Sequence, residues 1–282
     1  MSQLRHISVG KDGTVWCADD LNRLWRRSGS SWTKDQTAIG HLVAVGDAQH
    51  VWCVNDQGEA FHLDQGKWQK DNLAKNVRTI SVASDGTVWC GNRDGKLFRR
   101  ESNTWIESPD AIATVVAVGG KDQVWCLNAE GEIFQLDSQG KWQKDSGASG
   151  ARTLSVGADG TVWYGNAEER LFRREGNAWQ QDPDARATVV AVGGKDHVWC
   201  VNKEGDAFQR TAQGKWQKVD QPKGSWEYKV KQNDGLYAIV RQQFNPTDEK
   251  EVQRIAGLVV AENHIKNKDR IDADSVLKLQ SY

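Results

Sequence analysis

Six copies of a unit of about 36 residues, each reading as four short strands, predict an all-β propeller of six four-stranded blades, with a small α+β module of βααβ order after it. The dipeptide Val-Trp sets the register. Its tryptophans fall at Trp16, Trp52, Trp89, Trp125, Trp163 and Trp199, in steps of 36, 37, 36, 38 and 36 residues. A second series at Trp32, Trp68, Trp105, Trp142, Trp179 and Trp216 keeps step, so 12 of the 14 tryptophans obey one period. Between these markers each copy runs through an apolar alternation such as VVAVG, then TVWCGN or QVWCLN, then KLFRR or EIFQL, and closes around KWQKD. These segments are rich in β-branched and aromatic residues and bounded by Gly, Asn and Asp, as short strands joined by tight turns require.

A helical solenoid would need a 3.6-residue period inside the unit. Instead Val15 and Cys17 face one way and Trp16 the other, a period of two. A longer period overlies the short one. Copies one, three and five carry DGTVW and an arginine pair, while copies two, four and six carry VAVG and a Gly-Lys-Trp-Gln-Lys closing, so the duplicated unit is a pair of blades.

Composition narrows the partners. With 37 basic and 38 acidic residues the net charge is -1, which excludes a general phosphate-neutralising surface for nucleic acid or an anionic membrane. No apolar run approaches the roughly 20 residues of a membrane span, and the opening MSQLRHISVG lacks the marks of a leader. The expectation is a cytoplasmic product that reaches an outside ligand by lysis, non-classical export or loading into a particle. The cysteines Cys17, Cys53, Cys90, Cys126 and Cys200 occupy one position on five blades, too far apart for disulfides, and are expected as buried thiols; Tyr164 takes the sixth place. No CxxC and no histidine spacing suggests a metal, and no cofactor is expected.

Beyond Asp220 the repeat stops. A division into residues 1–221 and 222–282 follows. In the second part a strand near Tyr228 leads to a helix capped by Asp234, with Leu236, Ile239, Val240 and Phe244 on one face. A second helix places Val252, Ile255 and Val259 for burial, and SVLKL from Ser275 closes as a strand.

The spaced motif V-G-x-D-G-x-V-W-x-x-N-x-x-G-x-x-F/Y with its trailing Trp is similar to the tectonin repeat over roughly residues 4 to 220. That resemblance implies a six-bladed propeller lectin for bacterial or nematode surface glycans, including O-methylated sugars and lipopolysaccharide components, with sites between or on top of the blades. The segment YKVKQNDGLYAIVRQQF resembles the opening of a LysM domain, although Ala273 and Asp274 stand where that family has a Pro-Gly turn. This second resemblance implies binding of peptidoglycan or other N-acetylglucosamine polymers through two loops, with Gln232, Asn233, Asp234, Gly235 and Leu236 in one and Ile265, Lys266 and Asn267 in the other.

Candidate site residues on the propeller are of two kinds. Asn55, Asn92, Asn128, Asn166 and Asn202 end the second strand of their copies; an N-x-x-G turn accounts for them, and repeated amides around one end of a ring also suit sugar hydroxyls. In the arginine pairs, one member faces the neighbouring blade and the other solvent or a ligand; Arg27, Arg100 and Arg174 are the candidate ligand contacts. The tryptophan of each Val-Trp pair belongs in the core between blades, whereas the trailing ones are divided between core and sugar stacking. No nucleophile elbow, phosphate loop or singular carboxylate pair supports catalysis. Two functions remain: a multivalent, non-enzymatic lectin for cell-surface or cell-wall glycans, and a protein-interaction scaffold or subunit of a phage-tail-like contractile injection particle.

Overall fold

The computed structural model describes residues 3–222, 225–244, 246 and 248–280. Six four-stranded antiparallel sheets follow one another along the chain. Blade one holds β1 (Leu4–Val9), β2 (Val15–Asp19), β3 (Arg23–Ser28) and β4 (Ser31–Ile39); blade two holds β5 (Leu42–Val45), β6 (Val51–Val54), β7 (Ala60–Asp64) and β8 (Lys67–Lys70). Blade three holds β9 (Val77–Val82), β10 (Val88–Asn92), β11 (Lys96–Glu101) and β12 (Thr104–Ile112); blade four holds β13 (Val115–Gly120), β14 (Gln123–Leu127), β15 (Ile133–Leu136) and β16 (Trp142–Asp145). Blade five holds β17 (Ala151–Val156), β18 (Val162–Asn166), β19 (Arg170–Glu175) and β20 (Ala178–Arg186); blade six holds β21 (Val189–Gly194), β22 (His197–Val201), β23 (Ala207–Arg210) and β24 (Trp216–Val219).

The period of two decides where the core lies. On β2, Val15 and Cys17 enter the apolar cluster shared with blade six, while Trp16 and Ala18 enter the one shared with blade two. Both faces of the second strand are therefore buried, and the same division recurs between every pair of neighbouring blades. All six Val-Trp tryptophans are buried, and the five cysteines are buried free thiols. Burial pushes the thiols of Cys90, Cys126 and Cys200 up to about 12, so they act as small apolar fillers rather than nucleophiles. Tyr164 fills the sixth place by stacking on Phe172 at 4.7 Å.

The trailing tryptophans are structural as well, and they lock each blade to the one before it. The indole N–H of Trp68 donates to Asp35, Trp105 to Asp71, Trp142 to Ser108, Trp179 to Asp145 and Trp216 to Asp182, at 3.0 to 3.3 Å. Trp32 closes the circle onto the carbonyl oxygen of Asp220 at 2.7 Å. Beneath four of these bonds the buried tryptophan of the earlier blade meets the later one edge to face, as in Trp16 with Trp68 at 5.9 Å and Trp89 with Trp142 at 6.0 Å. Such pairs contribute about 0.5–1.5 kcal/mol beyond their burial.

A second lock is confined to the pairs that the longer period defines. The hydroxyls of Ser8, Ser81 and Ser155 accept from Val45, Val118 and Val192, and the turn carboxylates Asp12, Asp85 and Asp159 accept from Ala48, Lys121 and Lys195. Each bond runs from an odd blade to the even blade that follows. At the same end of the ring the inner strands converge until only glycine fits. A Cβ on Gly193 would lie 2.1 Å from the carbonyl oxygen of Gly10, and one on Gly46 would lie 2.4 Å from the backbone of Ala83.

After blade six, β25 (Ser225–Lys229) pairs antiparallel with β26 (Val276–Gln280), enclosing α1 (Leu236–Phe244) and α2 (Glu249–Glu262) between them in sequence. Leu236, Ile239, Val240 and Phe244 of α1 and Val252, Ile255 and Val259 of α2 are buried together. Asp248 caps α2 by accepting from the Glu251 amide, whereas Asp234, expected to cap α1, bonds backwards to the Tyr228 hydroxyl and the Lys231 amide. In the closing turn Asp274 takes the left-handed conformation, φ 66°, that a glycine would occupy more easily. The elements come in the expected β-α-α-β order, with short helices of 9 and 14 residues over a two-stranded sheet, and the assignment of this unit to the LysM family is not supported. No helix among the described residues is long and apolar enough to cross a membrane.

Two outcomes are expected. Gly193→Ala should lower stability in chemical denaturation by about 1–3 kcal/mol through the clash with Gly10, while Gly257→Ala, on the exposed face of α2 with nothing within 4 Å of a new Cβ, should raise it by roughly 0.5–1 kcal/mol. The second concerns Asp71. Burial opposes its ionisation, but the amides of Ala74 and Leu73, the Trp105 indole and Arg100 together hold its carboxyl below the ordinary 3.8. A depressed carboxyl stabilises the fold above that value and loses the contribution as pH falls through its folded pKa. Asp71→Asn should therefore be less stable at neutral pH and show a shallower loss of stability on acidification below 3.8, measured as Tm against pH.

Candidate functional site

The candidate residues fall at three separate places. The five asparagines lie at the turns between second and third strands, where their side chains are already engaged. The Oδ1 atoms of Asn55, Asn128 and Asn202 accept from the amides of Glu59, Glu132 and Asp206, and those of Asn92 and Asn166 accept from Lys96 and Arg170. Asn55 and Asn128 also donate Nδ2 to Glu59 and Glu132, which in turn bind Lys70 and Lys144. In blade one Asp19 does the same work, accepting from the Arg23 amide, and its other oxygen binds the Arg23 guanidinium at 2.7 Å and the Trp25 indole at 2.9 Å. These side chains hold hairpins, as the N-x-x-G pattern alone would require.

The arginines divide as the two-sided strand demands. Arg26 and Arg99 are exposed, whereas Arg27, Arg100 and Arg174 turn toward the preceding even blade. Arg100 lies 5.2 Å from the ring of Trp52, Arg174 4.9 Å from Trp125, and Arg27 5.1 Å from Trp199. Arg100 reaches Asp71 through Nε and Arg174 reaches Asp145 through Nη2, both at 3.1 Å. The same carboxylates receive the indoles of Trp105 and Trp179, which are half-buried. Each odd blade thus meets its even predecessor in a cleft built of two tryptophans, a guanidinium over an indole, and an acceptor on the outer strand.

The three clefts are not equally open. Trp32, the counterpart of Trp105 and Trp179, is only 8 % exposed, and it shares one apolar cluster with Val230, Leu236, Ile239 and Leu279 of the C-terminal unit. Lys34 Nζ donates to Gln243 of α1 across the same seam at 3.4 Å. The C-terminal unit covers the cleft between blades six and one. Burial lowers the basicity of Arg27 there, against the opposing charge of Asp220.

In the C-terminal unit Gln232, Asn233 and Gly235 are exposed, Asp234 holds the strand-to-helix turn, and Leu236 is core. Ile265 packs against the core, Lys266 is exposed, and Asn267 accepts from the Asp269 amide. The two loops are linked at their bases, where Lys268 Nζ lies 5.9 Å from the Tyr237 ring. Among the described residues no group of three or more metal-ligating side chains occurs.

Sequence reasoning passed over the outer-strand carboxylates Asp35, Asp71, Asp145 and Asp182. Their signal is legible in retrospect: each stands three residues after a trailing tryptophan, as in KWQKD, and receives the indole of the next blade.

A search of curated protein sequences finds no match. Among solved structures, the SapL1 lectin in complex with alpha methyl fucoside is similar at a TM-score of 0.55 and 12% identity, over 77% of this chain and 94% of that one. YCF48 bound to D1 peptide is similar at 0.50 and 14%, over 77% and 81%, and the Pan2 WD40 domain of Neurospora crassa at 0.51 and 13%, over 79% and 81%. At such identities the likeness is one of fold, and none of these three supports a place in a contractile particle. The Tectonin domain model matches residues 1–71, 39–151 and 112–233, overlapping stretches that span the whole propeller, and the chain belongs to the tectonin family.

Proposed function

We propose that the chain is a non-catalytic carbohydrate-binding propeller that reads surface glycans through the two open clefts between even and odd blades. The observation that carries this reading is the repeated grouping of a half-buried tryptophan, a guanidinium over a second indole, and a carboxylate held by that guanidinium at 3.1 Å: Trp105, Arg100, Trp52 and Asp71 in one cleft, Trp179, Arg174, Trp125 and Asp145 in the other. A looser form, with Arg210 5.5 Å from Trp163 and 3.6 Å from Asp182, stands at the seam of blades five and six. An indole face suits the apolar C–H face of a pyranose, and a guanidinium with five N–H donors, one of them turned to the carboxylate, keeps others for sugar hydroxyls. O-Methylated sugars fit the same chemistry, since a methyl ether keeps its acceptor oxygen and adds apolar area against the indole. Family membership and the fucoside named with the SapL1 lectin support the ligand class. Two weak sites on one rigid ring gain avidity on a dense glycan surface, because the second contact is intramolecular. The division at residues 221 and 222 belongs to the same proposal, supported by the end of β24 at Val219 and the start of β25 at Ser225.

The test is a glycan array carrying alpha methyl fucoside, methylated sugars and lipopolysaccharide, with a peptide array beside it, because a propeller of similar fold is named with a bound peptide. Hits are then titrated by tryptophan fluorescence. Arg100→Gln and Arg174→Gln should each remove one class of site, and the double variant should weaken binding by roughly tenfold or more. Calorimetry should count two sites per chain. Silence of a folded protein across the glycans, or binding untouched by the double variant, would overturn the reading.

A further inference from the structure

The inner strands β1, β5, β9, β13, β17 and β21 enclose a central channel of about 350 Å³, within the size range of small-molecule sites. One end is closed. There the strands converge on Gly46, Gly119 and Gly193, and the remaining void of about 10 Å³ holds no more than one water. The opposite end, where the inner strands begin, is the mouth.

The lining is one-sided in charge. Its ionisable side chains are Arg78, Arg152 and His6, and among the described residues no carboxylate lines it, although the chain has more acidic than basic residues. The arginines are placed there by a local irregularity of the sheet. In blade three Val77 pairs with Asn92 and Thr79 with Gly91, leaving Arg78 between them without a partner; in blade five Ala151 pairs with Asn166 and Thr153 with Gly165, leaving Arg152. A bulge of this kind re-aims the side chain it carries. Both guanidiniums are exposed at the mouth, and the engagement of Arg152 is a long 3.4 Å bond to the Ala129 carbonyl.

Deeper in, donors continue. Ser8, Ser81 and Ser155 use their oxygens as acceptors from the next blade, which leaves each hydroxyl proton to donate. His6 stands where the other odd blades have Thr79 and Thr153, and its Nδ1 is buried without a partner. Burial first, and the neighbouring His41 second, bring its pKa down to about 4, so the ring is neutral at ordinary pH and offers one donor and one acceptor. Between these groups Ala44, Ala117 and Ala191 give the even blades small apolar walls.

We propose that this channel is a binding site for a monosaccharide-sized ligand bearing an oxyanion, held with its charged group between Arg78 and Arg152 and its body against the hydroxyl and alanine walls. Carboxylate and phosphate share the chemistry that a guanidinium pair selects. The site lies on the ring axis and does not depend on the clefts at the rim.

The test uses the full chain and calorimetric titration with glucuronate, glucose 6-phosphate, inorganic phosphate and, as the neutral control, glucose. One charged sugar should bind at one site per chain, more weakly as salt is raised, and glucose should not bind. Binding of glucuronate alone assigns the carboxylate, and binding of glucose 6-phosphate alone assigns the phosphate; either result supports the site. Arg78→Gln with Arg152→Gln, two exposed positions, should weaken the charged ligand by roughly tenfold or more, while Arg78→Lys with Arg152→Lys should retain part of the affinity. Arg100→Gln with Arg174→Gln should leave it unchanged, which separates this site from the rim clefts. No binding by either charged sugar, equal binding of glucose, or full affinity in the folded double glutamine variant would overturn the proposal.

Discussion

The ring depends on one repeated bond, the indole N–H of an outer strand donated to an acceptor on the outer strand of the blade before it. Blades assembled from contiguous sequence have no strand exchanged across their seams, so nothing in the sheets themselves holds the disc shut. Two backbone bonds, from Lys11 to Gly46 and from Ala158 to Gly193, cross odd-to-even seams, and side chains supply much of the rest of the closure. The inner part of the even-to-odd seams is apolar and non-directional, and would tolerate sliding; the indole bond at the rim, made to a carboxylate at four of the six seams, fixes the register, because a hydrogen bond to a charged group contributes about 1.5–3 kcal/mol only in a narrow geometry. Each trailing tryptophan thus unites hydrophobic burial with a directional anchor. That dual role explains a count of 14 tryptophans better than sugar stacking alone does.

Alternation within the ring comes from the second lock. Serine hydroxyls and turn aspartates connect an odd blade to the even blade after it; the seams from even to odd lack those bonds and each carry arginine over tryptophan, a contact that the odd-to-even seams show at Arg210 over Trp163. Two types of seam therefore alternate three times. The serine and aspartate groups of the second lock are consumed by the fold, whereas a guanidinium paired through one of its nitrogens retains donors. The arginine grouping is tightest at the even-to-odd seams and recurs in looser form at one odd-to-even seam, where Arg210 lies 5.5 Å from the ring of Trp163 and 3.6 Å from Asp182.

Periodicity made the ring legible because the physics of a propeller writes itself into spacing: Val15, Trp16 and Cys17 alternate since both faces of their strand are covered, and the repeat length is the length of one blade. The direction of a side chain at a seam is written less plainly. Arg26 and Arg27 differ by one position, and alternation says that they face opposite ways without saying which meets the neighbour. Asn55 and its equivalents read as turn residues, and the hairpin takes their oxygens. Arg78 and Arg152 gave no signal, because the bulge that aims them is a slip of pairing between two strands and leaves no mark in the spacing of either one. For the C-terminal unit, helix periodicity located α1 and α2, but element order is shared by too many small folds to fix a family.

Blade one is where the repeat departs most, and its departures collect at the seam with the C-terminal unit. The acceptor that blade six would offer to Trp32 is replaced by Val219, which joins the apolar cluster, and the indole turns to the Asp220 carbonyl as the chain leaves the ring. Trp25 takes the place held by Phe98 and Phe172, and is fully buried where those are partly exposed. A larger ring there needs a polar partner for its N–H, and Asp19 in place of the usual asparagine supplies it. The carboxylate so introduced is in turn neutralised by Arg23 at 2.7 Å, both groups being nearly inaccessible to water. One substitution at the seam thus requires the next: covering the third cleft with helices calls for a bulkier aromatic, the aromatic calls for an acceptor, and the buried acceptor calls for a cation. The symmetric disc and the asymmetric tail are fitted to each other residue by residue, which makes the covered cleft a feature of the fold rather than an accident of a flexible appendage.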